Sequence, residues 1–258
     1  MSAVRPKKAL GQHFLVDENI LGVIERLAGL QEKDVVLEIG PGLGILTRRL
    51  AQRVAHVHAV ELDRSLEDAL SAVGTLPHVD VVWGDALRLD LAALSPAPDK
   101  LVANLPYNVA TPIVVESLHR MLSLDLWCVM VQREVADRFF ASPSTKAYGA
   151  VSVLVQLAAH RTGFHPVSRT VFRPQPRVDS ALLAFRRVTL PERFPAIKRV
   201  VEAAFAHRRK TLANALDLAG IASRNRVAGV LVELGHDPAA RADSLLPDRF
   251  VELERALC

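Results

Sequence analysis

Read as apolar and polar positions, the first two thirds of the chain switches repeatedly between two patterns. Val35–Ile39, His56–Leu62, Val79–Trp83, Lys100–Leu105 and Asp125–Gln132 are short runs rich in β-branched and aliphatic residues. They are mostly continuous rather than alternating, as expected for strands covered by helices on both faces. Between them, Leu46–Arg53, Ser65–Val73 and Pro112–Met121 carry apolar residues at helical spacing. This alternation predicts an open, doubly wound parallel α/β sheet. Two further strands, Thr162–Val167 and Ser180–Arg187, flank a proline-rich loop.

Beyond Arg187 the period changes. Leu190-Pro191 and Phe194-Pro195 mark a linker, and only helical spacing follows: Phe194–Ala206, Lys210–Leu218, Arg224–Leu234 and Pro247–Leu257, separated by Gly220, Gly235 and Pro238. The expected division is therefore a sheet domain over 1–188 and a small all-helical domain over 189–258.

Composition narrows the function classes. With 258 residues, 50% of them hydrophobic, the chain has enough apolar surface to fold without staples, which excludes a disordered tail. Two cysteines, Cys128 and Cys258, exclude a disulfide framework or a cysteine metal cluster and point to a reducing, cytoplasmic setting. The basic N-terminus lacks the apolar stretch of a secretory signal, and no run of 18 apolar residues suggests a membrane span. No long apolar seam suggests an obligate dimer, so a monomer is expected. The net charge of +4 is small, but its distribution is uneven. From His160 to Arg187 there are six arginines (161, 169, 173, 177, 186, 187) against one acid, Asp179. A second basic cluster, His207-Arg208-Arg209-Lys210, starts a helix of the tail, and Arg5, Lys7 and Lys8 form a third. Such runs are usually solvated faces, but three of them favour a nucleic-acid backbone as partner.

Two motifs carry chemistry. Glu38-Ile39-Gly40-Pro41-Gly42-Leu43-Gly44 follows the first strand and opens a helix; Gly40 and Gly42 permit a tight turn and close approach of a ligand. Glu61, about 20 residues on at the end of the next strand, suits the two hydroxyls of a ribose. Asp85, at the end of the third, suits the amino group of an adenine ring or, alternatively, a capping role. The loop is not GxGxxG and no P-loop lysine follows, so a nucleoside without phosphates fits better than a dinucleotide. S-adenosylmethionine (SAM) is the natural candidate; a purely structural turn is the competing explanation.

The second motif is Asn104-Leu105-Pro106-Tyr107, after the fourth strand. The lone pair of an exocyclic amine is delocalised into its ring. Acceptors at Asn104 Oδ1 and the Leu105 carbonyl would bind the amine protons and favour a pyramidal nitrogen. Pro106 would stiffen the backbone that carries them, and Tyr107 would stack on an extruded base. An ordinary Asn-x-Pro turn is the bland alternative.

GQHFL, EIGPGLGILT, VELD, GDAL, NLPYN, QREVADRF, KAYGAVSV, FRPQPRVDSA and AHRRKTLANAL occur in the order found in the ribosomal RNA adenine dimethyltransferases. The chain resembles the bacterial KsgA/RsmA branch of that family over almost its whole length. The resemblance implies a Rossmann-like, SAM-dependent methyltransferase domain without a metal. It implies dimethylation of two adjacent adenosines in a hairpin loop near the 3′ end of 16S rRNA, on an immature small ribosomal subunit. Carried over by position, cofactor contacts fall on His13, Leu15, Gly40, Glu61, Asp85 and Asn104. His13 departs from the family's usual Asn. Phe172 is similar to a phenylalanine that sandwiches the target base opposite the tyrosine; a lone Phe beside a strand is more often core, but the proline-stiffened loop and its arginines favour the functional role here. Two other functions stay open: an assembly factor that binds RNA without catalysis, and a small-molecule methyltransferase on the same fold.

Overall fold

The computed structural model describes residues 6–7 and 10–257. The strands are β1 (Phe14–Leu15), β2 (Val35–Ile39), β3 (His56–Glu61), β4 (Val79–Trp83), β5 (Lys100–Asn104), β6 (Leu126–Gln132), β7 (Ala159–Val167), β8 (Phe172–Arg173) and β9 (Ser180–Arg187). The helices are α1 (Glu18–Ala28), α2 (Ile45–Ala51), α3 (Glu67–Gly74), α4 (Ala110–Arg120), α5 (Arg133–Phe139), α6 (Ala150–Ala158), α7 (Phe194–Phe205), α8 (Leu212–Leu218), α9 (Arg224–Glu233) and α10 (Pro247–Leu257).

Seven strands form one sheet in the order β4-β3-β2-β5-β6-β9-β7. The first five of these are parallel, and β9 runs antiparallel to β6. The chain winds outward from β2 through β3 to β4, then returns to lay β5 on the other side of β2. Strand order thus reverses between β2 and β5, and the crevice outside their carboxyl ends is where open α/β sheets bind ligands. Residues Val36, Leu37, Val57, Ala59, Leu101, Val102 and Cys128 to Val131 are essentially inaccessible, which explains their unbroken apolar runs. Burial also pushes the Cys128 thiol up to about 12, so it behaves as a small core hydrophobe.

Some elements carry no periodic signal long enough to read. β1 and β8 are two residues each and pair antiparallel as a separate ribbon, Phe14 opposite Arg173 and Leu15 opposite Phe172. Helix α1 is marked locally: Asp17 accepts from the Asn19 amide at its start, Gly29 takes φ 52° at its end, and Ile20, Leu21, Ile24 and Ala28 form its buried stripe.

Two expectations are corrected. The chain divides into two compact units, one holding the chain up to Ala136 with Arg161–Arg187, the other Asp137–His160 with Val188 onward. Asp137–His160, expected within the 1–188 segment, thus groups with the tail from Val188 onward. Tyr148 is the reason: it is fully buried, donates its hydroxyl to the Leu245 carbonyl and stands edge-on to Phe205 at 5.9 Å. The basic residues His207–Lys210 form an exposed turn between α7 and α8 rather than a helix start. Arg5 and Lys8 lie outside the described residues. Among those described, no helix is long and apolar enough to cross a membrane.

Candidate active site

At the β2/β5 switch point the two motifs meet. Gly40, Gly42 and Gly44 all adopt left-handed φ values, 76°, 59° and 72°. A Cβ on Gly40 would stand 3.1 Å from the Pro106 ring and 3.9 Å from the Asn104 carbonyl. A Cβ on Gly42 would stand 2.9 Å from the Phe14 ring. The glycine turn is therefore seated between the NLPY segment on one side and the N-terminal segment on the other, where only glycine fits. The cleft they border is lined by Gly11 to Leu15, Glu38 to Leu43, Glu61, Gly84 to Leu87 and Asn104 to Val109.

Asn104 ends β5. Its Nδ2 donates to the His13 carbonyl at 3.1 Å, which fixes the amide orientation because only the NH₂ end can donate there. Its Oδ1 is buried and has no hydrogen-bond partner. An orphaned acceptor inside a cleft costs free energy unless a ligand donor satisfies it. Leu105 and Pro106 also line the cleft, the latter against Gly40. The Tyr107 hydroxyl bonds the Ser180 hydroxyl, and burial raises its phenol above the ordinary value, so the ring is fixed and neutral.

On the other side of the crevice, buried Glu61 accepts from the Gly42 amide at 3.2 Å through Oε2 and from the Asp63 amide at 2.8 Å through Oε1. Two amides occupy part of its capacity, and the remaining lone pairs are open to ligand donors. Burial raises its carboxyl above the usual range, against the lowering effect of those amides. Asp85 Oδ1 accepts from the Leu87 amide at 3.0 Å, organising a turn, and the residue also lines the cleft. Its Oδ2 stands 3.5 Å from exposed Arg88.

Four residues act differently from expectation or escaped it. His13 contributes its backbone carbonyl to Asn104, whereas its ring donates from Nδ1 to the Pro174 carbonyl at 2.7 Å and lies 5.3 Å from the Tyr107 ring. Phe172 is a correction: it is fully buried in β8, packs in the core with Leu15, and does not line the cleft. A ring with no accessible surface has no face to offer a base. Asp63 had no assigned role, yet it anchors the N-terminal segment through Lys7 Nζ at 2.6 Å and Gln12 Nε2 at 2.9 Å. Its burial alone would raise its carboxyl, but Lys7, Ser65 and Gln12 hold it well below the usual range. The residue pair Glu61 and Asp63 in VELD was the available signal.

Glu38 is the other unassigned residue. It lines the cleft, is 1% exposed, and its Oε2 has no partner. Burial, with a smaller contribution from Glu61, pushes its carboxyl up to about 8. The folded protein thus keeps this proton until about pH 8, whereas the unfolded chain releases it near 4.5. Stability falls as pH rises through that window. Glu38→Gln is expected to change unfolding free energy little at pH 5 and to raise it by on the order of 3 kcal/mol at pH 8.5. Denaturant unfolding of both proteins at the two pH values measures this.

The arginine-rich stretch is smaller than it reads. Arg187 donates to the carbonyls of Leu118, Met121 and Leu124 and stacks over Trp127, and Arg186 pairs with Asp125. Arg187 is thus held within the fold, whereas Arg186 sits in an exposed ion pair. Arg161, Arg169, Arg173 and Arg177 remain exposed.

A model of the family "Ribosomal RNA adenine dimethylase" matches residues 3–234. The chain is 49% identical over 255 residues to a Ribosomal RNA small subunit methyltransferase A of Rubrobacter xylanophilus, covering 98% of this chain and 95% of the relative. It is 43% identical over 259 residues to the protein of that name from Syntrophotalea carbinolica, covering 98% and 97%. Among solved structures, a dimethyladenosine transferase from Plasmodium falciparum superposes with a TM-score of 0.77 at 22% identity, covering 93% of this chain and 96% of that one. The 23S rRNA methyltransferase ErmE superposes with a TM-score of 0.66 at 27% identity, covering 95% and 99%.

Proposed function

The chain belongs to the ribosomal RNA adenine dimethylase family, and from that premise we propose how this enzyme works and on what. It is an rRNA adenine N6,N6-dimethyltransferase acting on the small-subunit RNA. The proposed target is the pair of adjacent adenosines in a hairpin loop near the 3′ end of 16S rRNA, met on an immature small subunit in the cytoplasm, with the enzyme a monomer. The observation that carries the reading is the buried, unsatisfied Asn104 Oδ1 beside the Gly40 turn.

SAM fits the residues present. A turn that any Cβ would obstruct, an acid with open lone pairs at Glu61, and Asp85 at the next strand end suit a nucleoside with a free ribose. Gly40, Gly42, Glu61, Asp85 and Asn104 would hold it, with Leu15 and the His13 backbone closing one wall. When bound, SAM supplies an electrophilic methyl group on a sulfonium.

The chain's own residues then have three tasks. Asn104 Oδ1 and the Leu105 carbonyl accept hydrogen bonds from the target amine, drawing its lone pair out of conjugation. Because Asn104 is already locked by His13 and Pro106 is seated on Gly40, these acceptors need no reorganisation during the reaction. Tyr107, immobilised through Ser180, offers an aromatic face to the extruded base, worth roughly 1–3 kcal/mol. The proton lost from the nitrogen after attack passes to solvent, and in the second methylation the one remaining N–H pairs with one of the two acceptors.

For RNA, exposed Arg161, Arg169, Arg173 and Arg177 are proposed phosphate contacts from the sheet unit, and the His207–Lys210 turn from the helical unit. Binding is expected to weaken with salt at a log–log slope of about −0.7 to −0.9 per phosphate contacted. Arg169→Gln with Arg177→Gln should flatten that slope by about two contacts. The function is tested by label transfer from SAM to small subunits purified from an unmethylated strain. Incorporation into these but not into methylated subunits is expected. Binding without incorporation would instead identify an assembly factor.

A further inference from the structure

Away from the cleft, β3 and β4 hold a second cluster of donor atoms. His56 and His58 are two residues apart on β3 and share a face, and Asp80 lies directly opposite His58 on β4. Their rings are 4.4 Å apart between centroids. His56 Nε2 is 2.9 Å and His58 Nδ1 3.4 Å from the same oxygen, Asp80 Oδ2. One ligand atom from each of the three residues lies within 4.8 Å of the other two.

His58 gives the cluster its direction. The residue is 1% exposed, and its Nε2 donates to the Pro96 carbonyl at 2.8 Å. That bond places the proton on Nε2 and leaves a lone pair on Nδ1, which is buried, has no hydrogen-bond partner and faces the cluster. A carbonyl holding the far N–H of an imidazole is the arrangement that orients metal-ligating histidines.

We propose that His56, His58 and Asp80 form a site for a divalent transition-metal ion of the zinc type. Two imidazoles and a carboxylate are a borderline donor set that suits Zn²⁺, with Co²⁺ as a spectroscopic substitute, and not Mg²⁺ or Ca²⁺. Ligand atoms around a tetrahedral ion with bonds of about 2.0–2.1 Å stand about 3.4 Å apart, close to the spacings across Asp80. Asp80 is exposed, so water can complete the coordination. The ion takes the place of the proton now shared by His56 and Asp80. It ties edge strand β4 to β3 near the ends opposite Glu61 and Asp85, so the site is structural and separate from the cleft.

The test uses the full-length, untagged chain stripped with a chelator. Zn²⁺ is titrated in competition with a chromophoric chelator, and Co²⁺ is followed by visible absorption. The expected result is one ion per chain with micromolar or tighter affinity, a raised melting temperature, and the strong visible bands of four-coordinate Co²⁺. His56→Gln, at a half-buried position, and Asp80→Asn, at an exposed one, should each weaken binding tenfold or more and abolish the bands, while methyl transfer by the stripped protein is unchanged. No binding by the unaltered chain, or equal affinity and bands in both variants, overturns the proposal.

Discussion

Replacing Asn104 by Ala is expected to slow methyl transfer by about 10²–10³-fold at saturating SAM, the range lost when one preorganised polar contact to a reacting centre is removed. The cofactor's dissociation constant should change only a few-fold, because Gly40, Glu61 and Asp85 remain. The expectation follows from a division of labour within one amide. Nδ2 is engaged by the His13 carbonyl, and Oδ1 is left buried without a donor. Its unsatisfied state is a cost in the free protein that the target amine relieves. Asn104→Asp separates the two ends: it keeps an acceptor toward the amine but sets a second oxygen against the His13 carbonyl. That variant should lose both transfer and the ordering of the N-terminal segment. Single-turnover rates with calorimetric SAM affinities distinguish the cases.

Glu61→Ala is the second large effect, and it falls on binding. Two charge-assisted hydrogen bonds to ribose hydroxyls, at roughly 1.5 kcal/mol or more each, correspond to about a 100-fold loss of SAM affinity. The variant also removes the acceptor for the Gly42 amide and so loosens the turn. The native affinity should depend on pH with a definite sign. Burial raises the Glu61 carboxyl above the ordinary range, so it takes up a proton sooner than an exposed glutamate as pH falls. Affinity is therefore expected to decline on acidification from neutrality, with the proton count of binding measurable by calorimetry in buffers of different ionisation enthalpy.

How much of this was legible beforehand differs by residue. The sheet could be read because a parallel sheet covered on both faces needs unbroken aliphatic runs, and Val35–Ile39, Val79–Trp83 and Ser180–Arg187 are found with the expected bounds. Asn104, Gly40 and Glu61 were legible because each terminates such a run at the edge where strand order reverses. Phe172 was misread for a physical reason. Its β8 strand is two residues long and pairs with an equally short β1, so no pattern marks that ring as core. Arg187 was counted as RNA-facing because charge along a sequence does not reveal that Trp127 and three helix-end and loop carbonyls wait opposite. The roles of Glu38 and Asp63 depend on burial, which no motif states. His56, His58 and Asp80 carried a weak signal, two histidines at strand spacing, but their third member is brought in only by the register of β3 on β4.

That the Asn104 acceptor at the Gly40 turn holds an adenine amine for methylation by SAM can be checked on the RNA itself by nucleoside mass mapping. Small-subunit rRNA from cells lacking this chain would be digested before and after treatment with the purified protein and SAM. N6,N6-dimethyladenosine is expected at two adjacent positions of one 3′ hairpin loop, appearing with the native protein and absent with Asn104→Ala. Methyl groups on another atom or another RNA, or dimethyladenosine formed equally well by the variant, would contradict it.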